Sequence, residues 1–156
     1  MEINIGISES NRQSVANELS KILADEFVLY TKTKNAHWNV IGLDFYDKHK
    51  FFEIQFEQLD DIIDRVAERI RSLGHYAPAS LKEFLSLKSL SESTNNERDG
   101  RSFISELLFD HERIIKDLRE NINLFENDFN DLGTSDFITG LMQEHEKMAW
   151  FLRSHI

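Results

Sequence analysis

The chain has 156 residues, 40% of them hydrophobic, no cysteine, and a formal net charge of −10. That length supports one domain, 1–156, with a core that needs no disulfides, and the charge argues against a generic polyanion binder, because nucleic-acid affinity rests chiefly on Lys and Arg neutralising phosphates. MEINIGISES lacks the basic and apolar regions of a signal peptide, and no segment approaches the roughly 18 uninterrupted apolar residues of a membrane span, so a soluble, cytoplasmic protein with no membrane partner is expected.

The dominant period along the chain is helical. Ser10 with Gln13 resembles a capping box, and Val15, Leu19, Ile22, Leu23, Phe27 and Tyr30 then recur at three- and four-residue steps, which predicts a first helix from about Ser10 to His37. Gly42 and Asp44 mark a short turn. A second long helix is expected from about Asp44 to Leu73, with Gly74 in the C′ position and the single proline, Pro78, just beyond. Residues 75 to 98 read as a long connection containing a short amphipathic piece, LKEFLSLK. Phe103, Leu107, Ile114, Leu118 and Ile122 carry a third helix from about Asp99 to Phe125. After a break at Asn127 to Gly133, Ile138, Leu141, Met142, Met148 and Leu152 carry a fourth, from about Ser135 to Ser154. The expected fold is all-α: a ferritin-like four-helix bundle with a short helix in the long crossover between helices two and three.

Helix two holds the most informative pattern. At about 100° per residue with His49 as zero, Asp60, Glu53, Asp64, Glu57 and Glu68 fall at roughly 20, 40, 60, 80 and 100°. They form one acidic stripe beside an apolar arc of Phe45, Phe52, Phe56, Leu59, Ile63, Val66 and Ile70. A solvated polar face is the plain alternative. Against it, Glu53 with Glu57, Asp60 with Asp64 and Asp64 with Glu68 are like-charge pairs at i,i+4, each unfavourable by roughly 0.2–0.5 kcal/mol. Bound cations would relieve that repulsion. With His37 and His49 nearby, the donor set is imidazole nitrogen and carboxylate oxygen, which suits iron, manganese or zinc when no thiolate is offered.

Distance then limits how these residues can cooperate. His49 and Asp64 lie about 22 Å apart along one helix, whereas metal–ligand bonds are about 2 Å. If His37, His49, Glu53, Asp64 and Glu68 serve one centre, two copies of helix two must pack antiparallel across a two-fold axis, giving two equivalent sites per dimer. The Glu-x-x-His pairs of a conventional di-iron bundle are missing, since no histidine has a Glu three residues before it.

NAHWNVIG, DFYDKH, DRVAERIRSLG and the terminal MAWFLRSHI together resemble the Dps family, the DNA-binding proteins of starved cells and their mini-ferritin relatives. The resemblance spans nearly the whole chain. It implies a hollow shell of twelve subunits with ferroxidase centres at dimer interfaces. His37, His49 and Glu53, which stands where the family often has Asp, would come from one subunit, and Asp64 and Glu68 from its partner. Trp38 would lie beside the site to pass an electron or quench a radical. The implied chemistry is oxidation of Fe(II) to Fe(III), preferably by hydrogen peroxide, with ferric oxide-hydroxide stored in the cavity; Zn(II) or Mn(II) can substitute at such a ligand set. Asp131 and Asp136 align with acidic positions of the family's iron-uptake pore, although Asp also favours the start of a helix on its own account.

The remaining expectations are simpler. His111 and His145 occupy apolar stripes and are expected to be satisfied core histidines; His75 and His155 sit at helix or chain ends with no visible partner. The family members that condense DNA commonly carry a basic tail. Here the first twenty residues contain only Arg12 and the chain stops at Ile156 just after the last helix, so DNA binding is expected to be weak. Two rival readings remain, a nucleoid-compacting DNA binder and a bundle that sequesters divalent metal without redox chemistry.

Overall fold

The first helix, α1, runs Glu9–Asn39 and is capped by Ser8, whose Oγ accepts the Asn11 N–H at 3.2 Å. The cap therefore lies two residues before the expected Ser10, because Ser8 holds the extended backbone an N-cap needs while Ser10 is already helical. A computed structural model of the chain describes residues 3–92 and 96–156; residues 1, 2 and 93–95, the last three within the expected long connection, lie outside the described residues.

Helix α2, Phe45–Ser72, folds back on α1. It ends as predicted at Gly74, where φ is +93°. The Gly74 N–H reaches the Arg71 carbonyl at 2.9 Å and the His75 N–H reaches that of Ile70 at 3.3 Å, the paired bonds of a Schellman motif. A Cβ at this glycine would collide with the Ile3 side chain and approach Arg12 Nη1 to 3.0 Å. Gly74→Ala is accordingly expected to cost roughly 1–2 kcal/mol, through left-handed strain and displaced neighbours, in a urea titration.

The crossover carries α3, Leu81–Leu87, capped by Ser80. Phe84 stacks on Phe27 of α1 with ring centroids 4.5 Å apart, and the buried Asp25 carboxylate accepts the N–H groups of Ser89 and Leu90 at 2.7 and 2.8 Å. These contacts lay the long connection along α1. Helix α4, Gly100–Asn123, starts at the Asp99 cap and continues into a π-helical turn, Leu124–Asp128. Near its start, the Ile41 N–H bonds to the Arg98 carbonyl at 2.9 Å and ties the α1–α2 turn to α4. The last helix, α5, is Leu132–Arg153.

Two antiparallel hairpins, α1–α2 and α4–α5, pack into a four-helix bundle with the crossover between them, the all-α architecture expected from the sequence. Phe52 of α2 meets Phe103 of α4 edge-on at 6.3 Å. Around this pair the interior is filled by Leu19, Leu23 and Leu29 of α1, Leu59, Ile62 and Ile70 of α2, Ile104 and Leu118 of α4, and Ile138 and Leu141 of α5. Burying each such side chain contributes about 1.5–3 kcal/mol. Among the described residues no helix is long and apolar enough to cross a membrane.

Candidate metal centre

His37 stands in the last turn of α1 and His49 in the second turn of α2, so the α1–α2 turn brings them together. Each ring bonds to the other's backbone. His37 Nδ1 lies 2.9 Å from the His49 carbonyl oxygen, and His49 Nδ1 lies 2.8 Å from the His37 carbonyl oxygen. The latter is one of the carbonyls a helix end leaves without an intrahelical partner. A carbonyl only accepts, so both Nδ1 atoms carry hydrogen, and Nε2 is the ring nitrogen left to face a metal in each. The rings stack at 3.8 Å with 21° between planes, and Phe56 packs edge-on against His37 at 5.1 Å. Backbone carbonyls thus fix tautomer and orientation, as outer partners do for metal-binding histidines.

Glu53 follows His49 by one turn of α2. In the single chain its Oε2 accepts from Lys50 Nζ at 2.6 Å. That hydrogen bond, helped by the charge of Lys50 and then by His37 and His49, holds Glu53 below the usual carboxylate range against the opposing effect of desolvation. Glu53 is therefore an anion at neutral pH.

Asp64 and Glu68 are both exposed, well along α2 from the histidines, in the stripe with Glu57 and Asp60. Asp64 lines a shallow depression together with Glu57, Asp60, Asp61, Ile63 and Ala67. Arg65 does not neutralise this stripe, for it pairs with Asp61 at 2.8 Å and Glu144 at 2.7 Å. Among the described residues, no three His, Asp or Glu side chains of one chain converge into a metal-binding group. The structure brings together His37 and His49, places Glu53 one turn further along α2 where it bonds Lys50, and leaves Asp64 and Glu68 apart from them.

Trp38 is 68% exposed. Lys34 Nζ lies 6.0 Å from its ring and 3.4 Å from the Phe56 centroid, so a cation sits among the aromatic groups behind His37. Asp131 is only 1% exposed. It caps α5 by accepting the Thr134 N–H at 2.9 Å and the Thr134 hydroxyl at 2.5 Å, and it pairs with Arg69 at 3.2 Å. Asp131→Ala is expected to lower stability by roughly 2 kcal/mol in urea unfolding, since it removes a cap and leaves Arg69 without its carboxylate. Asp136 is exposed on the next turn.

His111 and His145 are fully buried as expected, but only His145 is satisfied: His111 Nε2 has no hydrogen-bond partner, and Glu26, bonded to His145 Nε2 at 2.9 Å, was not anticipated. A signal existed: Glu26 follows Ile22 by four residues and Leu23 by three, a carboxylate in the apolar stripe of α1.

A ferritin-like domain family matches residues 16–156. The chain is 43% identical over 154 residues to a low temperature-induced protein of Nostoc sp., covering 99% of this chain and 86% of that protein. It is 34% identical over 146 residues to DNA protection during starvation protein 2 of Bacillus anthracis, covering 94% and 98%. Among solved structures, the Dps protein of Vibrio cholerae O1, described as a member of a broad superfamily of ferritin-like diiron-carboxylate proteins, superposes with a TM-score of 0.90 at 30% identity, covering 99% of this chain and 96% of the other.

Proposed function

Because this chain belongs to the ferritin-like family, within its Dps branch, we propose that it binds iron and oxidises Fe(II) to Fe(III), preferably with hydrogen peroxide, at centres completed between two copies of the chain. The observation that carries this reading is the reciprocal His37–His49 clamp. It presents two oriented imidazole nitrogens beside an ionised Glu53, a half-built centre that needs further oxygen ligands. Asp64 and Glu68 have the right chemistry, and only a second chain can bring them within bonding distance.

The surroundings support a covering partner. Leu43 is fully exposed, and Tyr46 and Ile54 are 69% and 56% exposed on the same stretch of turn and helix as the histidines; large apolar side chains grouped in this way mark association surfaces. We propose a closed shell of twelve subunits built from two-fold dimers, with ferric oxide-hydroxide stored inside and DNA protected by removal of the Fe(II)–peroxide pair. Two ferrous ions supply one electron each, and one peroxide takes up both electrons and two protons as its O–O bond breaks to give two waters. Carboxylates hold both oxidation states of a hard metal, while neutral imidazoles moderate the affinity so that product can leave. In this reading Trp38, next to His37, passes an electron or quenches a radical. Exposed Asp136 is a better candidate than the capped Asp131 for an uptake pore.

Stopped-flow mixing of anaerobic, Fe(II)-loaded protein with peroxide or oxygen tests the activity. Faster oxidation by peroxide, with one peroxide consumed per two Fe(II), is expected; no oxidation with either would refute it and favour simple metal sequestration. Duplex DNA is a separate test. With a net charge of −10, retardation of plasmid by submicromolar protein should be absent at physiological salt. A clear shift there would reveal a basic patch formed on the assembled surface.

A further inference from the structure

The bundle interior contains a row of ionisable side chains that the proposed ferroxidase centre does not use. Glu26 of α1, His145 of α5 and His111 of α4 have no solvent exposure. They are joined in series, with His145 Nε2 2.9 Å from Glu26 Oε1 and His145 Nδ1 2.9 Å from His111 Nδ1. The row therefore ties α1 of the first hairpin to both helices of the second.

Its hydrogen bonding is incomplete. Glu26 Oε2 and His111 Nε2 have no partner, nor does either polar atom of the buried Gln55 amide on α2. A partly satisfied buried network holds a core less firmly than apolar side chains of the same volume, so stability alone does not account for these residues.

The proton count makes the row sensitive to acid. A hydrogen bond between two ring nitrogens needs one hydrogen and one lone pair, so the contact between the Nδ1 atoms holds with a single proton between the rings and fails with two. His145 Nε2 faces the Glu26 carboxylate, which balances a charge on that ring. His111 has no such partner. Burial, followed by the charge of His145, holds it well below the usual imidazole range. The charged neighbours on the packed helices are engaged elsewhere. Lys32 of α1 pairs with Asp110 at 2.5 Å and Glu106 at 3.1 Å, both on α4, and Asp25 of α1 accepts from Ser89 and Leu90. The buried residues of α2 include no charge, only the neutral Gln55 among apolar side chains.

We propose that this row is an acid-released latch between the two hairpins, closed while a single proton lies between His111 and His145 and opened when a second enters at His111 and sets two cationic rings against each other. The stability it lends is complete above about pH 6.5, the value of a free imidazole, and is lost as pH falls below it, because the open state then binds a proton that the closed state refuses. Opening parts α5 from α1 and admits water to the interior.

Amide hydrogen exchange of α5 in the full-length protein reads this opening. His111→Asn is the comparison, because Asn Oδ1 stands near the place of Nδ1, accepts from His145 and cannot be protonated. The ratio of parent to variant exchange rates cancels the intrinsic pH dependence and the titration of Asp110, which both proteins share. It should rise about tenfold between pH 7.5 and 5.5, as expected for one proton bound near pH 6.5 in the open state only. A ratio that does not change with pH would overturn the proposal. Should His111→Asn not fold, exchange at the imidazole C2 position of each histidine, measured alongside the amides of the parent, decides: α5 amides that lose protection as His111 becomes charged uphold the latch, and amides that stay protected refute it. Neither readout depends on iron oxidation, so the latch and the ferroxidase reading stand or fall separately.

Discussion

Replacing His37 and His49 together by Ala is expected to slow peroxide-driven Fe(II) oxidation by roughly 100-fold or more, since even outer partners of metal ligands are worth about 10–100-fold and these two residues are inner ligands in the proposed centre. The substitution also removes the two ring-to-carbonyl bonds that clamp the end of α1 to the start of α2. A loss of stability of about 2 kcal/mol should accompany it. That cost is local. The α1–α2 hairpin remains held by buried Ala36, Val40, Phe52 and Leu59, so the helical content should persist. Stopped-flow rates and thermal unfolding on one preparation separate the two effects, and a folded variant with an undiminished rate would remove the histidines from the centre.

Asp64→Ala/Glu68→Ala should cause a comparable loss of activity with the opposite structural signature. Both carboxylates are exposed and belong to a like-charge stripe; removing them relieves repulsion of roughly 0.2–0.5 kcal/mol per i,i+4 pair. The variant is expected to be as stable as the parent or slightly more so, yet nearly inactive. That combination separates groups kept for chemistry from groups kept for folding. A solvated acidic face would instead give an active, stable variant.

Much of the bundle was legible in the sequence because apolar residues at three- and four-residue steps admit little besides amphipathic helices. The ends were less so. Ser10 and Gln13 imitate a capping box, but Ser8 takes the role because it is the last residue with extended backbone. Asn127 to Gly133 resembles a loop in composition, yet the chain remains helical to Asp128 through π-type bonds, turns at Asn130 with φ of 53°, and re-enters a helix at Leu132 under the Asp131 cap. One-residue slips between α and π bonding leave no periodic trace in so short a stretch.

For the candidate centre, the residue types and their spacing were legible because chemistry and helical geometry restrict them. The His37–His49 clamp was not, since it depends on the backbone carbonyls of a particular turn. A tertiary contact likewise gave a partner to His155, expected to have none, for Lys48 Nζ donates to its Nδ1 at 3.0 Å, whereas His75 Nε2 makes no hydrogen bond and lies 3.8 Å from Glu9. The Glu26–His145–His111 row needed the fold as well, because its members come from three helices.

The central claim is that each centre takes ligands from two chains, and mixed reassembly tests it most directly. Subunits carrying His37→Ala/His49→Ala are unfolded and refolded together with subunits carrying Asp64→Ala/Glu68→Ala, and Fe(II) oxidation is compared with each variant refolded alone. In a two-fold heterodimer one interface site collects both defects and the other regains every ligand. Random pairing makes half of the dimers mixed, so about one quarter of all sites should be intact and about one quarter of the parent activity should return. Heterodimers that form but oxidise no faster than the separate variants would contradict the shared centre.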